Sequence, residues 1–200
     1  MKITHFDSNE DWLAARVGKI TGSSLKDIVV KRGTGKKIGF FQLIADRIAL
    51  PADGEDAMAR GHRLEPEAIA RFEAVTKKKV DTSLVMWTRS DNENIAVSPD
   101  GFIGKHEAVE VKALSSARHL EAVITNTIPD EYEMQVIQYF AVNDELKKLY
   151  FVLYDPRLKV KDFHVIEVTR KQVQEQVKAM LEYQEQTLKE IDKIVKSLSF

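Results

Sequence analysis

The chain has 200 residues, 44% hydrophobic and 30% charged, the balance of one globular domain over 1–200 with a sizeable core, which excludes disorder and collagen-like repetition. Thirty Lys and Arg against 31 Asp and Glu give a net charge of -1, so bulk charge does not attract a polyanion and any nucleic-acid site must be local. Cysteine is absent, which removes disulfides, thiolate zinc sites and cysteine nucleophiles together.

No run reaches the roughly 18 consecutive apolar residues of a membrane span, and the opening MKITHFDSNEDW turns polar where a signal peptide needs an apolar stretch. A cytoplasmic protein with no membrane partner is therefore expected. Ser8 followed by Asp11 predicts the cap of a short helix to about Val17, stopped by Gly18. A second helix is expected to start around Thr21 to Ser24. From Arg16 to Lys37 the chain carries Arg16, Lys19, Lys26, Lys31, Arg32, Lys36 and Lys37 against the single acid Asp27. This patch reads either as solvated surface or as a local phosphate-binding region. Its Gly33-Thr34-Gly35-Lys36-Lys37 lacks the spacing of a phosphate loop.

Phe40, Phe41, Ile44, Ile48 and Leu50 suit a helix ended by Pro51, and Ala57, Met58, Leu64, Ile69, Phe72 and Val75 suit another around Pro66. Pro66 removes a backbone donor and should kink or restart it. Short β-branched runs follow, at Val80 to Trp87, Ile95 to Val97 and Ala108 to Lys112, and predict a strand meander. Helices are expected at Ser115 to Ile124 and Asp130 to Val142, then strands at Leu149 to Tyr154 and Phe163 to Val168. A long amphipathic helix should run from about 169 to the end.

The densest chemical signal is Ser98-Pro99-Asp100-Gly101 followed by Glu110-Val111-Lys112. If Gly104, Lys105 and His106 form a hairpin loop, paired residue numbers sum to about 210 and Asp100 faces Glu110. Side chains alternate along a strand, so Glu110 and Lys112 project to one side with Val111 between them. Two carboxylates are hard ligands suited to magnesium, and a lysine beside them can orient or deprotonate a water, a set that fits metal-assisted phosphodiester hydrolysis. The short unit alone is common, since Glu145-Leu146-Lys147 repeats it. An ordinary hairpin with a salt bridge from Lys112 is the plainer reading. His5, His62, His106, His119 and His164 have no ligand spacing.

At these residues the sequence resembles the PD-(D/E)xK nucleases, and within them the branch containing bacteriophage lambda exonuclease and related viral recombinases. The resemblance spans about Trp12 to Pro156. It rests on Arg16-Val17-Gly18-Lys19-Ile20-Thr21-Gly22-Ser23, Gly61 with Glu65, Ser98-Pro99-Asp100-Gly101, Glu110-Val111-Lys112, the helix around Gln135 to Tyr139, and Tyr154-Asp155-Pro156. It implies an α+β (α/β/α) restriction-endonuclease-like fold, with a central mixed sheet flanked by helices.

It further implies a 5′-to-3′ exonuclease on double-stranded DNA ends that leaves 3′ single strands. Its partners would be a homotrimeric ring of its own copies and a phage-type single-strand annealing protein, in a phage- or prophage-carrying bacterial host. Two Mg2+ ions, with Mn2+ as a substitute, would be held by Glu65, Asp100, Glu110 and the Val111 carbonyl, with Lys112 acting on the attacking water. Arg16, Ser23, Ser98 and Lys19 would bind DNA near the 5′ phosphate, and Met58 would be a wedge parting the terminal base pair. The family's Gln-x-Gln is replaced here by Gln135-Val136-Ile137-Gln138, so either Gln135 or Gln138 is the active-site amide. Without the resemblance, Arg16 reads as a partner of Asp11 or Glu10, and Tyr132, Gln135 and Tyr139 as a core stripe. Two alternatives share this scaffold: a structure-specific or restriction-like endonuclease, and a non-catalytic DNA-binding or assembly module, against which the intact acids and Lys112 argue.

Overall fold

The computed structural model describes residues 1–30, 37, 39–40, 43, 59–114, 116–156, 158 and 161–198. In chain order these form β1 (Lys2–His5), α1 (Asn9–Arg16), a 3-10 helix (Gly22–Asp27), α2 (Ala59–Thr76), β2 (Val85–Thr88), β3 (Ala96–Val97), β4 (Gly101–Ile103), β5 (Glu107–Lys112), α3 (Ser116–Thr125), α4 (Asp130–Val142), β6 (Lys148–Tyr154), β7 (Phe163–Thr169) and α5 (Arg170–Leu198). The expected helix ending at Pro51 lies largely outside the described residues, as do Lys31, Arg32, Lys36, Ala57 and Met58.

The strands divide into an antiparallel sheet, β1-β2-β3, and a four-stranded sheet, β4-β5-β6-β7. In the second sheet β5 and β6 pair in parallel while the outer pairs are antiparallel, so it is mixed. The expected single meander is therefore corrected: β2 and β3 belong to one sheet and β4 and β5 to the other. The change of sheet falls at Ser98-Pro99-Asp100. The expected strand from Val80 begins only at Val85, with Asp81 making an isolated bridge to Phe102. β1 is an additional edge strand on β2.

Alternation along β5 and β6 separates two cores. Val109, Val111, Tyr150 and Val152 face Ala68, Ile69 and Phe72 of α2. Ala108, Leu149, Phe151 and Leu153 face the other way, into the cluster that contains Val136, Ile137 and Phe140 of α4 and Val177, Met180 and Leu188 of α5. Glu110 shares the parity of Ala108 and Phe151, so this strand register sends it beneath α4. α2 runs through Pro66 as one helix, because a proline forfeits one intrahelical bond while Ala68, Ile69 and Phe72 still bury an apolar stripe on the sheet. The helix expected to start around Thr21 to Ser24 is a 3-10 helix, with Ser24 and Thr21 capping each other.

Candidate active site

The β4–β5 hairpin pairs Gly101 with Val109 and Phe102 with Ala108, the register that the loop at Gly104 to His106 requires. Gly104 turns it with a φ of 59°, a left-handed conformation that glycine adopts without strain. Asp100 stands one residue before β4, and its Oδ2 accepts the Val111 N–H at 2.7 Å. Gly101 must lack a side chain, since a Cβ there would lie 2.4 Å from Val80 Cγ1.

Glu110 is 1% exposed, and both of its oxygens are held. Gln135 Nε2 and Lys112 Nζ each approach Oε1 at 2.5 Å, and the Tyr139 hydroxyl donates to Oε2. That hydroxyl also lies 3.4 Å from the Ser98 carbonyl, but its one proton goes to the closer, charged acceptor. The Lys112 ammonium sits 5.1 Å from the centre of the Tyr132 ring, and Tyr132 is backed by Phe151 at 5.7 Å.

Burial, then Glu110, then Glu65 push the Asp100 carboxyl well above the usual carboxylate range, against the pull of Lys112. Burial acts to lower the Lys112 pKa, but Glu110 and Asp100 outweigh it and raise it. Burial together with Glu110 and Asp100 raises the Tyr139 phenol well above its ordinary value, so it is a neutral donor.

Across the same cleft, Arg16 donates to Ser23 Oγ at 2.9 Å and lies 4.4 Å over the Trp12 ring. Burial lowers the Arg16 pKa, opposed by Glu110, Tyr139 and Asp100, and an arginine in this range stays charged. The expected alternative partners are not used: Asp11 bonds the Ser8 cap. Ser98 Oγ is buried with no hydrogen-bond partner among the described residues. Gly22 lets the 3-10 helix approach α4, since a Cβ there would meet Gln135 Cγ at 3.0 Å.

A cleft of about 560 Å³ joins these groups, lined by Arg16, Ser23, Glu65, Ser98, Asp100, Glu110, Val111, Lys112 and Gln135. Two expected residues stand apart. Lys19 Nζ reaches the Glu93 carbonyl at 3.2 Å and does not line the cleft. Gln138, fully buried, donates to the carbonyls of Ile20 and Ala96, so of the two amides only Gln135 reaches the carboxylates. Met58 lies outside the described residues. Sequence reasoning missed Trp12 as a cleft wall, whereas Lys26, which also lines the cleft, belongs to the basic patch already singled out. The spacing of Trp12 and Arg16, one helical turn apart, is the signal that could have found it.

The sequence profile of the YqaJ-like viral recombinase domain matches residues 11–145. The chain belongs to this family. No curated protein matches its sequence. Among solved structures, it is similar to an alkaline exonuclease (LHK-Exo) from Laribacter hongkongensis, with a TM-score of 0.81 and 25% identity over 95% of this chain and 96% of that one. LHK-Exo in complex with dAMP matches with a TM-score of 0.77 and 24% identity over 95% and 98%. A phage-related exonuclease from Haemophilus somnus 129PT shares the fold at 13% identity, with a TM-score of 0.60 over 90% and 96%. This YqaJ-like protein is therefore an enzyme of the nuclease class with the PD-(D/E)xK fold.

Proposed function

We propose that this nuclease is a magnesium-dependent 5′-to-3′ exonuclease that digests linear double-stranded DNA, leaving 3′ single strands for phage-type recombination by strand annealing. The observation that carries the reading is that one cleft is lined both by Arg16 and Ser23, a pair suited to gripping an anion, and by Asp100, Glu110 and Lys112, a set suited to hydrolysis. A site that grips an anion beside its cutting groups suits removal of nucleotides from a strand end.

The donor set fits magnesium: Glu65, Asp100, Glu110 and the Val111 carbonyl are hard oxygens, and the buried acids crowd charge that a cation would neutralise. Among the described residues no three acids or histidines are already gathered closely enough to hold an ion alone. Water and phosphate oxygens would complete the coordination, as magnesium usually demands. When bound, two ions supply positive charge at the attacking and leaving oxygens. The chain does the rest. Gln135 and Tyr139 hold the Glu110 carboxylate in one orientation, Lys112 orients the attacking water, and Arg16 with Ser98 Oγ receives phosphate oxygens.

A net charge of -1 cannot hold DNA for long, because phosphate contacts weaken as salt rises. This supports a homotrimeric ring enclosing the duplex, handing its product to a phage-type annealing protein. Light scattering should then report a trimer, and a monomer at every micromolar concentration would contradict it. The reading itself is tested with magnesium and two substrates. Linear duplex should release nucleotides while covalently closed duplex stays intact; nicking of the closed circle would instead favour the endonuclease.

A further inference from the structure

The C-terminal helix α5 lies beyond the matched residues 11–145, yet it reaches the phosphate-binding segment at both ends. Tyr183 and Gln184 are adjacent on this helix. The Tyr183 hydroxyl donates to the Ile28 carbonyl at 3.2 Å and accepts the Val30 N–H at 3.3 Å. Gln184 is fully buried, and its Nε2 donates to Gln138 Oε1 at 2.8 Å.

Gln138 in turn donates to the carbonyls of Ile20 and Ala96, at 3.1 and 3.2 Å. Two carbonyl acceptors require the amide nitrogen on that side, so Gln138 Oε1 must face Gln184. Gln184 Nε2 is the donor that satisfies it. The arrangement is costly, because Gln184 Oε1 is buried with no hydrogen-bond partner among the described residues, and a leucine there would leave Gln138 Oε1 unpaired in its place.

The two anchors bracket the 3-10 helix that carries Ser23: Ile20 lies just before it, Ile28 and Val30 just after. The second carbonyl held by Gln138, that of Ala96, belongs to β3, which leads directly into Ser98 and Asp100. We infer that Tyr183 and Gln184 are positioning residues, a clamp from the C-terminal helix that fixes the Ser23 segment against the strand leading to the carboxylates, and so sets the discrimination between phosphorylated and unphosphorylated DNA ends. The consequence for DNA ends rests on the function proposed above; the clamp itself does not.

The test is the full-length double variant Tyr183→Phe, Gln184→Leu, both near-isosteric and free of any new buried charge, with Gln184→Leu alone as the milder companion. Amide hydrogen exchange in metal-free, DNA-free protein should quicken at least tenfold over Thr21 to Val30 and stay unchanged over Val109 to Lys112. In magnesium, the ratio of kcat/KM for 5′-phosphorylated over 5′-hydroxyl duplex should fall at least fivefold. Restoring Gln184 in the double variant should recover part of both effects. Unchanged exchange at Thr21 to Val30 would overturn the clamp. Quickened exchange with an unchanged end ratio would overturn its role in end recognition. A wild-type ratio of one would instead overturn the phosphate-pocket reading, with exchange still deciding the clamp.

Discussion

The Asp100 carboxylate accepts its hydrogen bond from the backbone N–H of Val111, at 2.7 Å, and thereby faces Glu110 across the hairpin. Two acids are thus held together in a poorly hydrated place, with Glu65 adding to the repulsion. Unlike charges at this spacing would stabilise the fold, but like charges oppose it.

Asp100→Asn keeps the acceptor for Val111 and removes a buried charge. We expect the metal-free variant to melt a few degrees above the wild type, for roughly 1 to 2 kcal/mol. The pH dependence has a definite sign. A carboxyl whose folded pKa exceeds its ordinary 3.8 binds its proton more tightly when folded, so metal-free stability falls as pH rises from about that value through the raised one. Melting curves against pH should show this fall weakened in Asp100→Asn. Magnesium should raise the melting temperature of the wild type but not that of Asp100→Asn.

Tyr139→Phe leaves Glu110 Oε2 buried without its donor. An unsatisfied buried acceptor costs about 1 to 3 kcal/mol, which should lower the melting temperature by several degrees. Nuclease activity should fall about tenfold as the carboxylate loses its orientation. Calorimetry and nucleotide release measure the two effects separately.

Much of this was legible in the sequence where a period was strong. The helix at Asp130 to Val142 and the hairpin register of Asp100 and Glu110 follow from apolar spacing and a glycine loop, and the structure has both. β1 escaped because only Thr4 of its four residues is even half-buried while Ile3 is exposed, so no buried apolar alternation marks it. The continuity of α2 through Pro66 was hidden because local propensity at proline is overridden by Ala68, Ile69 and Phe72 packing on the sheet. Gln135 and Gln138 differ by less than one helical turn, and only the position of the Ile20 and Ala96 carbonyls separates the amide that bonds Glu110 from a buried tie.

Arg16→Ala removes the fork that bonds Ser23 and stacks on Trp12. A charge-assisted phosphate contact contributes about 1.5 to 3 kcal/mol, so a preference for 5′-phosphorylated over 5′-hydroxyl ends should shrink by roughly tenfold to a hundredfold. Magnesium should still raise the melting temperature of this variant. Rates on matched duplexes differing only in the terminal phosphate are the measurement.

Gly101→Ala forces a methyl against Val80 Cγ1, 2.4 Å away. Overpacking of this kind costs about 1 to 3 kcal/mol, and the shift falls next to Asp100. Stability and rate should fall together, and Val80→Ala in the same chain should restore part of both.

The central claim is best tested by a time course on 5′-phosphorylated linear duplex, labelled separately at the 5′ and 3′ termini, for the wild type, Asp100→Asn and Glu110→Gln in magnesium. The wild type should release the 5′ label first, as mononucleotide, with both variants slowed about a hundredfold or more while remaining folded by circular dichroism. Release of the 3′ label first, or either variant digesting DNA at close to the wild-type rate, would contradict the account.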